Sequence, residues 1–252
     1  MVSKSQISFL KALQQKKHRK EHGLFLVEGL KSVTDFLQSN FYTIKTVYHT
    51  PQSESKMLKV SGNIKFQEVS ASELEKISSL NTPQEVIALV EIPNQLKINL
   101  QDLAGKFTLM LDNVQDPGNL GTIIRTADWF GISQIICSED TVDVYNPKVV
   151  QATMGSLSRI NVHYANLLLL LPQIKQPIFG AMLDGENIYQ TNFGTEGLIL
   201  LGNEGNGIRP EIQPMIQKRI TIPRSGKAES LNVAIAAAVF CTEINRIALA
   251  EK

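Results

Sequence analysis

The sequence predicts an α/β protein: a mostly parallel sheet with helices on both faces, preceded by a small α/β domain. Three observations carry this. Short apolar runs alternate with segments of helical period along the 252 residues. A polar, weakly periodic stretch divides the chain near its middle. Hydrophobic residues make up 43%, enough to bury a core. The expected division is a first domain over 1–93, a linker over 94–106 and a second domain over 107–252.

Along the first domain, Ile7, Leu10 and Leu13 have helical spacing and are followed by a basic cluster. Residues 24–29 and 44–50 read as strands, and 30–39 as a helix between them. Helices are expected over 53–60 and 72–80, the latter capped by Ser70 or Ser72. Residues 85–92 read as a strand. After the linker, 107–114 is a buried strand. A helix from about 119 to 130 comes next, with Leu120, Ile123, Ile124 and Ala127 on one face and Asn119 where a cap belongs. Residues 133–138 form a strand. Asn146 to Met154 starts a helix, with proline at its second position. Residues 167–175 form a helix that ends near Pro172. Strands at 177–183, 197–202 and 219–223 precede a closing helix from about 231 to 249. Strands that alternate with helices predict a parallel sheet covered on both faces.

Composition excludes several classes. The apolar stretch from Leu231 to Thr242 is too short to span a bilayer, which needs about 20 residues. No signal-peptide pattern opens the chain, so a cytoplasmic protein with no membrane partner is expected. Cys137 and Cys241 lie in apolar segments and read as reduced core residues. Net charge is only +1, yet Lys4, Lys11, Lys16, Lys17, Arg19 and Lys20 face Glu21 alone in the first 22 residues. Such a start can seat a phosphate backbone or form a solvated helix face. His18 and His22 have a spacing that suits one helix face, but no third ligand is evident, so no metal is expected.

The segment 198–208, LILLGNEGNGI, sets an acid, Glu204, in a glycine-rich turn after a strand. Gly202, Gly205 and Gly207 have the order G-x-x-G-x-G, the reverse of the dinucleotide fingerprint, which argues against a dinucleotide oxidoreductase. Nor is there a phosphate-binding loop at Gly226-Lys227, because Ala228 comes next. An ionised Glu204 would also repel phosphate. Taken alone, the segment is equally compatible with a tight turn in solvent. Two further stretches repeat the pattern of strand end, polar turn and helix: 111–131, LDNVQDPGNLGTIIRTADWFG, and 222–240, IPRSGKAESLNVAIAAAVF. Arg125 lies about 140° from Leu120 at ~100° per residue, off the apolar face, with Asp128 as a possible surface partner. Ser230 and Asn232 bracket Leu231 at a helix start, and Ser230 could be its cap. Three such turns at strand ends can converge on one pocket.

Together these three segments resemble motifs 1, 2 and 3 of the SpoU, or TrmH-type, family of RNA 2′-O-ribose methyltransferases in the SPOUT class. The likeness covers about residues 107–250, and QATMGSLSRINV (151–162) matches a further run of the family. The first domain is similar, more loosely, to L30-like or L7Ae-like RNA-binding domains. The resemblance implies a C-terminal trefoil knot, a homodimer with cofactor clefts near the subunit interface, and S-adenosylmethionine as methyl donor. Gly202, Ile222 and Leu231 match its cofactor-binding positions. Asn119, Arg125, Glu204, Ser230 and Asn232 match its polar positions around the reacting centre. Arg224 departs from the methionine or other apolar residue of many members.

The activity that this resemblance implies is methylation of a ribose 2′-hydroxyl in structured RNA. Ribosomal RNA, 23S in particular, is favoured, and transfer RNA or a non-catalytic RNA-binding role is the alternative. Arg125 would grip the adjacent phosphate and orient the hydroxyl. Asn119 and Asn232 would hold the ribose and Arg125, and Glu204 would orient Arg125 or a backbone turn. Lys16, Lys17, Arg19 and Lys20 would contact RNA phosphates.

Overall fold

The computed structural model describes residues 2–53, 64–94 and 98–250. Most of the helix expected over 53–60, and residues 95–97 of the expected linker, lie outside them. Two units emerge, Met1–Asn94 with Asp143–Arg159, and Gln95–Val142 with Ile160–Lys252. The sequence places 143–159 wholly in the second domain. In the structure it groups with the first.

In the first unit, Ser3 caps α1 (Lys4–Ala12) by accepting from Gln6 N at 3.2 Å, and Gln6 reaches back to Ser3. α2 (Lys16–His22) stops at Gly23, whose φ of +63° is the left-handed end that glycine permits. β1 (Leu24–Glu28), α3 (Leu30–Leu37), β2 (Ile44–His49), β3 (Lys65–Glu68), α4 (Ala71–Ile77) and β4 (Val86–Glu91) complete the order of this unit up to residue 94. Ser70 caps α4 with Glu73 in a capping box, as one of the two expected serines. The sheet order is β1-β4-β2-β3, with β4 antiparallel to β1 and β2, and β3 parallel to β2. Leu10, Leu13, Leu26, Leu74, Ile77 and Ile87 pack into one core, which is why the expected α1 face is apolar.

The second unit begins with β5 (Phe107–Leu111), α5 (Pro117–Trp129) and β6 (Gln134–Ser138). α6 (Pro147–Ala152) is the short helix that belongs to the first unit, capped by Asn146. β7 (Asn161–Ala165), α7 (Leu167–Leu170), β8 (Ile178–Asn187), β9 (Gly197–Leu201), β10 (Lys218–Thr221) and α8 (Val233–Ala250) complete the chain. No helix among the described residues is long and apolar enough to cross a membrane.

All pairs in the second sheet are parallel, in the order β10-β8-β9-β5-β6-β7. β5 and β9 are fully buried or nearly so along their length, as a two-sided parallel sheet requires. Strand order reverses between β5 and β9, which pair in register from Phe107↔Gly197 to Leu111↔Leu201. The crevice beyond the carboxyl ends at such a reversal is where ligands bind in open α/β sheets. β8 adds a second feature. Its register against β10 jumps between Arg219↔Gly180 and Ile220↔Glu186, so residues 181–185 bulge out of the ladder on the same side.

Candidate active site

Three turns leave the carboxyl ends of β5, β9 and β10. In the first, Asp116 caps α5 by accepting from Asn119 N at 2.8 Å, and Pro117 opens the helix. Asn119 is therefore not the cap that the sequence suggests, and its side chain is free to serve two neighbours. Its Nδ2 donates to Glu204 Oε1 at 3.0 Å, and its Oδ1 accepts from Asn232 Nδ2 at 2.9 Å. Asn232 Oδ1 accepts in turn from Ala234 N at 2.9 Å and Ile235 N at 3.3 Å. Asn232, not Ser230, thus caps the start of α8. One relay, Glu204–Asn119–Asn232, ties the three turns together.

Glu204 also accepts from the backbone N–H groups of Asp116 at 3.2 Å and Gln115 at 3.4 Å. Burial pushes its carboxyl up, but the Asn119 amide and the backbone donors outweigh burial and hold it below the ordinary carboxylate range. Glu204 is ionised at neutral pH for that reason. The acid in the glycine turn binds the first turn to the second.

The residues that shape the second turn escape a reading of the sequence. Asn203 and Gly207 exchange both backbone hydrogen bonds, at 2.9 and 3.0 Å, so the turn closes on itself. Asn203 Oδ1 fills it by accepting from Gly205 N and Asn206 N, and its Nδ2 reaches Asn113 O at 2.8 Å. Gly202 has no room for a side chain, because a Cβ there would lie 2.1 Å from Gly207 C and 2.2 Å from Ile208 N. Asp112, fully buried at the end of β5, accepts from Arg209 Nε at 2.7 Å, Arg209 Nη2 at 2.6 Å and Arg209 N at 2.9 Å. Asp112 therefore anchors the far end of the glycine turn. The Asp112 hydrogen bond raises the Arg209 guanidinium further above its usual range. An acid directly after a buried strand was the available signal for this pair.

The second and third turns border a cleft of about 610 Å³, whereas Asn119 and Asn232 do not line it. Gly202, Glu204, Ile222, Ser230 and Leu231 line it, together with the bulged residues Ala181–Asp184 of β8. Its walls include Leu201, Ile208, Ile220 and Phe240, and Leu231 leaves 50% of its surface uncovered. That size falls in the range of small-molecule sites. Apolar walls and a half-bare leucine suit the flat base of a nucleoside. The acids Asp184, Glu204 and Glu229 outnumber the lining cation Arg224, which suits a sulfonium and repels a polyphosphate. The residues present therefore fit S-adenosylmethionine, with Gly202, Ile222 and Leu231 in the wall that would hold it.

Arg125 does not join this set. It is exposed on α5, does not line the cleft, and has no hydrogen bond or ion pair among the described residues, Asp128 included. In the first unit, Lys16, Lys17 and Lys20 are exposed on α2. Arg19 is not available to RNA, contrary to expectation. It is 2% exposed, and it donates to Leu13 O at 3.0 Å, Gln14 O at 2.7 Å and Asp143 Oδ2 at 2.6 Å. A third potential ligand does stand beside the two histidines. The donor atoms of His18, Glu21 and His22 lie within 4.8 Å of one another, although Lys16, Lys17 and Lys20 on the same short helix oppose a cation there.

The SpoU rRNA Methylase family matches residues 106–242, and the MRM3-like substrate binding domain matches residues 4–88. The 23S rRNA (guanosine(2553)-2′-O)-methyltransferase of Bacillus subtilis is 31% identical over 91% of each chain. A TrmH-family protein from Porphyromonas gingivalis is 39% identical, with a TM-score of 0.88 over 98% of this chain and 99% of the other. The AdoMet-bound rRNA methyltransferase from Sinorhizobium meliloti is 33% identical, with a TM-score of 0.85 over 98% of this chain and 97% of the other. With more than half of its length inside the first match, the chain belongs to the SpoU rRNA Methylase family.

Proposed function

We propose that this protein transfers a methyl group from S-adenosylmethionine to a ribose 2′-hydroxyl of RNA, and that 23S ribosomal RNA is its substrate. One observation carries the reading: the Glu204–Asn119–Asn232 relay ties the first turn to the two turns that line a nucleoside-sized cleft, at the reversal of strand order. When bound, S-adenosylmethionine supplies an electrophilic methyl group. The chain's own residues align the acceptor. Asn119 and Asn232, which do not line the cleft themselves, hold the ribose and Arg125, and Ser230 lines the cleft. Arg125, on the helix α5 that follows the first turn, binds the adjacent phosphate and orients the hydroxyl, a task its forked donors suit better than proton abstraction. The ribosomal substrate is supported by the 23S rRNA enzyme of Bacillus subtilis, similar over nearly the whole chain.

The same proposal includes a homodimer, a trefoil knot at the C-terminal end of each chain, and a cytoplasmic location. An exposed Arg125 outside the cleft of its own chain supports a site completed by a second copy. Lys16, Lys17 and Lys20 supply RNA grip in the first unit.

The test is a map of 2′-O-methyl sites in total RNA from cells with and without the protein. Loss of one 23S site is expected. Loss of a transfer RNA site would move the substrate, and an unchanged map would remove the activity. Arg125→Ala is expected to abolish methyl transfer while keeping cofactor affinity within about threefold, the mark of an interaction with the acceptor rather than the donor. Calorimetry beside a methylation assay separates the two.

A further inference from the structure

Among the described residues, Arg224 is the one cationic side chain that lines the cleft. Lys227, three positions on, does not line it. Arg224 lies in the exposed segment 223–230, where its Nη1 donates to Ala228 O at 2.9 Å. A guanidinium carries five N–H donors, so this single bond closes the 224–228 turn and leaves most donors for another acceptor. The remaining charges on the wall are Asp184, Glu204 and Glu229.

Charge matching assigns these groups. S-adenosylmethionine carries a sulfonium, an α-ammonium and an α-carboxylate. The two cations suit a wall with three acids. The carboxylate would be repelled by those acids unless a cation stood among them. We propose that Arg224 receives the α-carboxylate of the cofactor's amino-acid tail, so that it selects the intact amino acid over a truncated nucleoside. This rests on the cleft being the S-adenosylmethionine site. A planar carboxylate and a guanidinium can pair through two parallel hydrogen bonds, and lysine reproduces the charge but not the fork.

The test is calorimetry on the full chain with two ligands. S-adenosylhomocysteine keeps the amino-acid tail, and 5′-methylthioadenosine lacks it. Arg224→Met is expected to weaken S-adenosylhomocysteine roughly tenfold or more, the worth of a charge-assisted hydrogen bond. Affinity for 5′-methylthioadenosine should stay within about twofold, since that ligand offers no carboxylate. Arg224→Lys should recover part of the loss, and it carries the same comparison if Arg224→Met fails to fold. Equal weakening of both ligands would overturn the proposal, because Arg224 would then only hold the turn through Ala228. So would unchanged affinity for both. A loss of RNA affinity with S-adenosylhomocysteine unaffected would assign Arg224 to an RNA phosphate instead. If the wild-type protein binds neither ligand, the cleft is not the cofactor site, and the proposal falls with it.

Discussion

Glu204 shows how one carboxylate can serve as a joint. Three donors from the first turn converge on it. Glu204→Ala leaves them partly unsatisfied and should cost about 1–2 kcal/mol, given partial exposure; urea denaturation reads this. Because the folded carboxyl lies below the ordinary value, its stabilisation is complete above the unfolded pKa of about 4.3 and is lost as pH falls through the lower folded value. Wild-type stability should therefore fall more steeply than that of Glu204→Gln on acidification below that point. Equal slopes in urea midpoints would remove Glu204 as the cause. The Asp112–Arg209 pair predicts an asymmetry. Asp112 is fully buried and the Arg209 side chain is one-third exposed. Arg209→Met strands a buried charge and should cost about 3 kcal/mol or more, whereas Asp112→Asn leaves a cation that water can reach and should cost less. Urea midpoints of the two variants decide the order. Glu204, Asn119 and Asn232 were legible as a set through the resemblance of their three turns to the family's motifs. Asn203, Asp112 and Arg209 were not, since their value depends on contacts about 90 or more residues away.

At the scale of elements, most strands and helices were legible from apolar runs and helical spacing. Two strands were missed, and both are edges. β3 reads Lys65-Phe-Gln-Glu68 and is largely exposed, and β7 is half-buried throughout. An edge strand covered on few sides has no need of a continuous apolar run. Two helix caps were misplaced, by three and two residues, for a shared reason. Asn119 and Ser230 are good capping residues in isolation, but Asp116 and Asn232 hold the backbone donors. Asn232 then has two tasks, the start of α8 and the link to Asn119. Asn232→Ala should cost about 1 kcal/mol for the cap. It should also lower methyl transfer by more than that stability loss explains, because Asn119 loses its partner. A matched fall in stability and turnover, measured by denaturation and a methylation assay, would reduce Asn232 to a cap. The bulge in β8 was invisible in sequence. It arises where the backbone of Arg219 and Ile220 passes so close to Gly185 that a Cβ would lie 2.4 Å from Arg219 O.

At the scale of the molecule, the basic start of the chain splits into two populations. Arg19 is folded into the first unit, with Asp143 as partner, and in the same unit the Phe25 and Tyr145 rings meet tilted, 4.7 Å between centroids. Charge counting cannot see this, because the partner is 124 residues away. Arg19→Ala should destabilise by about 2–4 kcal/mol by stranding Asp143. Reversing Lys16, Lys17 and Lys20 together should instead leave the melting temperature nearly unchanged. It should also weaken RNA binding and flatten its dependence on salt. Filter binding at two salt concentrations beside a thermal melt distinguishes the groups. Gly202 carries a warning for such mutagenesis. A β-carbon added there would run into the returning main chain at Gly207 and Ile208, so any replacement pries the loop open before a ligand is involved. An inactive Gly202 variant would report a broken turn first, so its lost activity does not by itself measure a contact with the methyl donor.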